Sequence, residues 1–528
     1  MVLNLLGRKN NMARKKSLRA LVAACALALT GMGIGAAHAA PEPASDPAPV
    51  APWAHGAPTT GSITITKQEA TTKQPVAGAK FTVTKVDSIK GTALGKMDKI
   101  TDWETIAAAI GDLNKNPDST DVVLSQTEKH EQVTETTGQA SFKNLPLGLY
   151  KIVESEVPAG YTSDIKPFFM TVPEITGTSS ADQKYTYDVA VTPKNMDARN
   201  LVTKTGAFDK VVGAGDDISY TISATLNKKG PIKGTDIKDF AIFDDAPTNA
   251  YTVIDKTSVK SVKVNGTVID ALQYTITTPT EGVEADRTRL QVNFTEDGLN
   301  TIAAKATESA APVVTVDLTF TLKADLTLIS VSNKFGFIPG HSDSEPTPGP
   351  VVPEPGPTPG PGPDPTPNPF PTIELYDFQI AKTNASDGKP LADAKFVAFA
   401  SLDDAKACVA LKDRTSCQGA SKGFGTRTSG ADGLTPKFKA KKDSAFYVVE
   451  VEAPSKFIRS DEITTVTVTD QAGQVFKSGI KNVPTKDSGK WFDLPKTGAI
   501  GVGIFALAGA GLVAGGAFTH LRSRKRNA

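Results

Sequence analysis

Two separated stretches of this chain keep the same residues at the same intervals, and that repetition constrains the fold more than any single motif. Pro75-Val-Ala-Gly-Ala-Lys-Phe81 matches Pro390-Leu-Ala-Asp-Ala-Lys-Phe396, and in each case a lysine, Lys67 or Lys382, stands eight residues upstream on an opening strand. Phe142 lies twelve residues before Glu154, and Phe438 lies twelve before Glu450. Two intervals held in common are hard to obtain by chance, so the chain contains two copies of one domain. Gly61–Lys67 alternates apolar and polar residues as a half-buried strand does, and further strands are expected at Lys80–Val86, Ala140–Phe142, Leu149–Glu154, Phe168–Val172 and Tyr185–Thr192. One helix is expected near Thr101, where Thr101 and Glu104 form a capping box and Ile106, Ile110 and Leu113 share a face. Between the copies lies a different segment, dense in Thr, Val and Ile, with strand-like runs beginning at Asp217, Tyr251 and Val313 and a hairpin signal at Asn265-Gly266. A Pro/Gly stretch, 339–371, reads as an extended polyproline spacer. The pattern predicts an all-β chain of three tandem β-sandwich domains, and 528 residues suit that number.

The two ends read differently. Met12–Lys16 is basic, Ala20–Ala37 is apolar, and Ala37-His38-Ala39 offers an A-x-A cleavage site, which together predict a secretory signal peptide over 1–39. The lipobox-like Val22-Ala-Ala-Cys25 is the lesser reading, because the apolar run continues beyond Cys25. Residues 40–60, rich in Pro and Ala, are expected to be disordered. Near the other end, Ala499–Phe518 is apolar over enough residues to cross about 30 Å as a helix. Arg522, Arg524, Lys525 and Arg526 follow it, as a cytoplasmic basic tail would.

Composition argues against several functional classes. Net charge is +1, which gives no ground for a nucleic-acid partner. The five histidines are His38, His55, His130, His341 and His520, and only His130 falls within an expected folded domain. Ser/His/Asp or Cys/His catalysis and His-rich zinc sites need more than that. A wall-anchored enzyme is therefore disfavoured, and no metal site or cofactor is assigned, although acidic pairs such as Asp403-Asp404 leave structural calcium open. Cys408 and Cys417 are the only cysteines beyond the signal segment, and in an exported chain they are expected to form a disulfide.

Several motifs carry a family resemblance. Leu494-Pro495-Lys496-Thr497-Gly498, followed by the apolar run and the basic tail, resembles the LPXTG sorting signal of Gram-positive surface proteins. Leu149-YKIVESEVPAG-Tyr161 resembles the E-box of shaft pilins, with Tyr150, Glu154, Pro158, Gly160 and Tyr161 in its positions. Phe446-YVVEVEAPSK-Phe457 is a second copy around Glu450 that lacks the Gly-Tyr ending, which puts its loop geometry in question. Tyr187-DVAVTPK-Asn195 resembles the pilin motif, with Lys194 as its lysine and Thr192 where the family has Tyr. On these residues the chain resembles the sortase-assembled major (shaft) pilins of Gram-positive bacteria, especially the three-domain fimbrillins of actinomycetes.

The resemblance implies immunoglobulin-like, Cna-type sandwiches. An N-terminal Cna B-like domain would span 61–196, a Cna A-like domain 197–338, and a second Cna B-like domain 372–486. The sorting region would occupy 487–498, a transmembrane helix 499–519 and the tail 520–528. It also implies two chemistries. A pilus-specific class C sortase would cleave Thr497–Gly498 and pass Thr497 to Lys194 of the next subunit. Inside the domains, lysine and asparagine side chains would join autocatalytically beside a buried acid: Lys382, Asn482 and Glu450 in the third domain, and Lys204, Asn333 and Asp244 in the second, with Asp245 as the alternative acid. Burial favours both the neutral amine and the protonated acid that such a reaction needs. In the first domain, Lys67 and Glu154 have only Asn195 as an acceptor. Asn195 adjoins Lys194 and is expected to turn outward with it, so no third cross-link is expected. The implied partners are identical subunits, tip and basal pilins, a housekeeping sortase and a peptidoglycan precursor, on a wall-anchored extracellular fimbria whose receptor the residues do not identify. The alternative is an accessory tip or basal adhesin.

Overall fold

The computed structural model describes residues 50–163, 165–179, 182–353, 369–470 and 473–488. The expected signal peptide, sorting motif (Leu494 to Gly498) and apolar segment 499–519 lie outside the described residues, but 50–60 do not show the disorder expected of 40–60: Trp53 packs edge-on against Trp103 and Tyr185, and Thr60 opens a strand. Among the described residues no helix is long and apolar enough to cross a membrane. The chain divides into two compact units. One holds two sandwiches, and the other holds the third sandwich together with the segments 209–216 and 322–330.

In the first sandwich, strand Thr60–Thr66 runs parallel to Asp188–Val191 and antiparallel to Gln139–Pro146. Its continuation, Gln68–Glu69, runs parallel to Lys194–Asp197, which pairs on its other side with Tyr161–Thr162. The facing sheet is built on Lys80–Ile89, Gly148–Glu156 and Phe168–Val172. Ile63, Ile65, Phe81, Val83, Leu149 and Ile152 meet between the layers, as alternation along each strand requires. Helix α1 (Ile100–Lys115) buries Ile106, Ile110 and Leu113, the expected face, together with Trp103. Its start differs from expectation. Lys99 is the N-cap and no side chain caps it, so the Thr101/Glu104 capping box is not formed. A strand at Val122–Val133 escapes the sequence reading because its residues are mostly polar, which suits a strand paired only with Lys80–Ile89.

The second sandwich packs a five-stranded sheet against a four-stranded one. Val202–Ala207, Asp217–Thr225 and Val313–Thr321 adjoin in the first sheet. Ala241–Pro247 lies between Arg287–Phe294 and Lys334–Ile338 in the second. Asn265 and Gly266 take φ of 47° and 80° between two antiparallel strands, the geometry of the expected Asn-Gly hairpin. Tyr251-Thr-Val-Ile is not a strand: Tyr251 is buried and its hydroxyl bonds Tyr220. The spacer also begins later than expected. Residues 339–353 fold back on this sandwich, where Phe337 and Val351 exchange backbone bonds of 3.0 and 2.8 Å. His341 sits against Asp239 at 2.9 Å. Phe337, Val351 and the His341 ring have apolar or ionic partners there, which outweighs the extended preference of the intervening prolines.

The third sandwich repeats the first. Thr372–Asn384 pairs antiparallel with Phe438–Lys441 and parallel with Phe476–Asn482. The facing sheet contains Lys395–Phe399, Ala445–Glu452 and Thr464–Thr467. The repetition extends beyond the two matched intervals of the sequence. Gly138 and Gly433 have φ of 74° and 75°, and a Cβ on either would fall 2.5 Å from the carbonyl oxygen of Lys67 or Lys382. Each of these glycines accepts the backbone N–H of its lysine at 2.7 Å. Only glycine fits so close a backbone approach.

Candidate functional site

Three buried sets of lysine, acid and asparagine occupy the three sandwiches. In the third, Lys382, Glu450 and Asn482 are all buried. Glu450 lies directly across from Phe396, and a register shift follows between Phe396 and Lys395. The Asn482 carboxamide donates to Glu450 Oε2 at 2.8 Å, and Lys382 Nζ stands 3.1 Å from Glu450 Oε1 without the alignment of a hydrogen bond. Burial pulls the Lys382 amine below its ordinary pKa, against the opposing pull of Glu450. The ring of Phe396 lies 5.4 Å from Nζ and keeps water from it.

The first sandwich carries the same arrangement, which corrects the expectation for Asn195. Successive residues of a strand face opposite sides. In Lys194–Asp197, therefore, Lys194 is exposed while Asn195 is buried. Asn195 donates to Glu154 Oε1 at 2.9 Å, and Lys67 donates to Glu154 Oε2 at 2.8 Å. Ser163 supplies a further donor to Glu154 at 2.6 Å. Burial lowers the Lys67 pKa to about 8, with Glu154 opposing. Phe81 faces Glu154 across the sheet, as Phe396 faces Glu450.

In the second sandwich Lys204 donates to Asp244. Burial lowers the Lys204 pKa to about 8 and raises that of Asp244. Asn333 is fully buried next to this pair, its backbone oxygen 3.5 Å from Lys204 Nζ and its carboxamide oxygen without a hydrogen-bond partner. Asp245, the alternative candidate, points to the other face of the strand and receives two bonds from the Arg289 guanidinium, at 2.7 and 2.8 Å. In all three sets the asparagine carboxamide oxygen is buried and unpartnered, and buried polar groups are seldom left so. A carboxamide held beside an acid and facing a deprotonatable amine can be attacked by that amine, with ammonia as the leaving group.

The remaining predicted residues fall around these sets. Tyr150 is buried and its hydroxyl donates to the Pro146 carbonyl at 2.5 Å. Gly160, at φ 82°, accepts from the Ala198 N–H, and Tyr161 pairs with Asp197, so the E-box loop holds the strand of Lys194. Pro158 accepts from the Tyr161 N–H at 3.2 Å. The third domain keeps this loop without its glycine. Lys456 takes φ 68° in the position of Gly160, Phe457 donates to the Pro454 carbonyl at 3.1 Å, and Phe457 bridges to Pro484. Cys408 and Cys417 are disulfide-bonded, Cα atoms 5.1 Å apart. Asp403 and Asp404 occupy the first turn of helix α2 (Leu402–Val409). The sequence reading missed Arg414, a buried arginine inside the disulfide loop, since nothing in its neighbours announces burial.

Residues 61–186 and 376–482 match the family model described as SpaA, a prealbumin-like fold domain. The two matched stretches coincide with the first and third sandwiches. The chain is similar along most of its length to two fimbrial subunits of Actinomyces: it is 25% identical to fimbrial subunit type 2 of Actinomyces naeslundii, over 86% of this chain and 85% of that one. It is 26% identical to fimbrial subunit type 1 of Actinomyces viscosus, with the same two coverages. Its fold is similar to that of the full-length major pilin SpaD from Corynebacterium diphtheriae, with TM-score 0.53 and 20% identity over 81% of this chain and 98% of that one.

Proposed function

We propose that this chain is the shaft subunit of a covalently polymerised fimbria. A class C sortase cleaves Thr497–Gly498 and joins the Thr497 carbonyl to Lys194 of the next subunit. A housekeeping sortase transfers the finished fibre to a peptidoglycan precursor, and tip and basal pilins complete it. The alternation at Lys194 and Asn195 carries this reading: one strand offers an exposed lysine to a partner and fixes itself inward through the next residue. Lysine nucleophiles need deprotonation, which the sortase cleft supplies for exposed Lys194.

Within the domains, the lysine Nζ attacks the asparagine Cγ, the Nζ–Cγ bond forms, the Cγ–Nδ2 bond breaks, and ammonia leaves. No oxidant or cofactor is required. The acid moves one proton from amine to leaving group, and the fixed geometry replaces the entropy that a bimolecular reaction would lose. Lys204–Asn333 and Lys382–Asn482 are joined in this way, and the buried geometry of Lys67, Glu154 and Asn195 extends the proposal to the first domain. The ties suit a fibre one subunit wide, in which every domain bears the tension of all the others and marginal noncovalent stability would not hold.

Expression of Lys194→Ala in cells that make the fibre tests the polymerisation step. The ladder of covalent multimers disappears while monomer stays at the surface. A ladder that persists moves the nucleophile elsewhere. Intact-mass measurement tests the internal bonds, each of which removes the mass of one ammonia.

A further inference from the structure

The acid of the third domain is held from behind by a device that the first domain lacks. Arg414 lies in the loop closed by Cys408–Cys417 and is 2% exposed. Its Nη1 donates to the Glu450 carbonyl oxygen at 3.0 Å and to that of Ser460 at 2.8 Å. Its Nη2 donates to the Val409 carbonyl at 2.8 Å and to the Asp461 carboxylate. Ser460 in turn donates its backbone N–H to Glu450 Oε2 at 2.7 Å, on the same oxygen that receives Asn482. One guanidinium therefore fixes both the main chain of the acid and the donor that orients its carboxyl.

Two features make the placement specific. The register shift beside Glu450 is a bulge, and bulges free backbone groups from the ladder and re-aim side chains next to reactive sites. Arg414 takes up the Glu450 carbonyl at that point. The disulfide lobe packs on the back of the same strand: Cys408, Val397, Phe399, Val449 and Val451 form a separate apolar cluster with Cys417 against it. Val449 and Val451 alternate with Glu450, so the lobe grips the outer face of the strand whose inner face bears the acid. In the first domain the corresponding donor to the acid is the Ser163 hydroxyl.

We propose that Arg414, held by the Cys408–Cys417 disulfide, is a positioning residue for Lys382–Asn482 bond formation, so that closing the disulfide prepares the third domain for its cross-link. The inference rests on the isopeptide reading above. The bond that forms and the ammonia that leaves are those already given, and the disulfide contributes geometry, not electrons.

The test follows the cross-linked peptides of all three domains by mass spectrometry in the full chain after a pulse of synthesis. In Arg414→Ala the Lys382–Asn482 bond forms about ten-fold more slowly or more, a rate loss that corresponds to about 1.4 kcal/mol of transition-state positioning. The Lys204–Asn333 bond keeps its parental rate. Arg414→Lys, with one compact ammonium in place of a planar fork, restores part of the rate, which a generic packing defect would not produce. Cys408→Ser with Cys417→Ser gives a smaller slowing. A parental rate in folded Arg414→Ala overturns the proposal. If proteolysis shows that variant unfolded, Arg414→Lys decides, and a parental rate there overturns it equally. Equal rates in disulfide-free and parental chains overturn the role of the disulfide. Absence of every cross-link from the parent chain instead defeats the isopeptide reading, an outcome distinct from loss at one domain.

Discussion

The outer sandwiches and the middle one place a lysine, an acid and an asparagine on different frames, with glutamate as the outer acid and aspartate as the middle one. In the third domain Lys382 and Asn482 belong to adjacent parallel strands of one sheet, and Glu450 reaches them from the opposite sheet. The first domain is arranged likewise, with Asn195 opposite Glu69 in a parallel pair just beyond Lys67. In the middle domain Lys204 lies in the five-stranded sheet, while Asp244 is in the four-stranded sheet and Asn333 immediately precedes a strand of it. A bond there would staple one layer to the other, whereas bonds in the outer domains would tie neighbours within a layer. What the frames share is an amine and an acid enclosed together with a carboxamide, so enclosure and proximity, not a particular strand order, define the chemistry.

The difference can be broken most forcefully in the middle domain. Asp244→Ala should prevent the Lys204–Asn333 bond, a tie across 129 positions, at a cost of about 4–5 kcal/mol by the loop-closure relation known for disulfides. It also leaves Lys204 buried without an anion, worth several kcal/mol more. Denaturant unfolding and peptide mapping read both effects, and Asp245→Asn should leave the bond intact. Glu154→Gln asks whether the first domain works as the third does. The ammonia loss should vanish from the first domain alone, with a stability loss of about 4–5 kcal/mol. A parental mass in a chain already lacking that loss would separate the two outer domains.

A smaller effect comes from pH. In Asn195→Ala no bond can form and Lys67 remains free in the core, with its pKa lowered from 10.5 to about 8. The unfolded chain then binds the extra proton between these values, so stability should rise as pH climbs from about 8 toward 10.5. Below that window the full penalty for burying the charge applies. Adding Lys67→Met should flatten the dependence. The smallest change separates the two E-box loops. Lys456→Gly relieves a non-glycine residue at φ 68° and should stabilise the third domain by about 1 kcal/mol, seen as a small upward shift of its melting temperature.

Much of this was readable because the reactive residues sit inside strongly patterned strands. The equal spacing of Phe142 to Glu154 and Phe438 to Glu450 reflects a shared register, and the same strand pairs Glu154 with Phe81 and Glu450 with Phe396. The misreadings have two causes, one local and one remote. Asn195 was judged by its neighbour, although strand alternation reverses the side at every residue. Arg414 is hydrophilic in composition and buried in fact, because the Glu450 and Ser460 carbonyls and the Asp461 carboxylate converge on it from segments distant in sequence, beside the nearby Val409 carbonyl. Residues 339–353 look like a spacer but are captured by the pairing of Phe337 with Val351. Partners that lie far along the chain leave no local pattern to read.

The strand Lys194–Asp197 has one more consequence. A slip of a single residue would send Lys194 into the core and Asn195 to the surface, exchanging the two side chains' destinations. A bond from Lys67 to Asn195 would form only in the correct alignment and, once made, could not be undone by refolding. Such a bond would be a permanent stamp of inspection, issued inside each subunit before its neighbouring lysine is offered to the growing fibre.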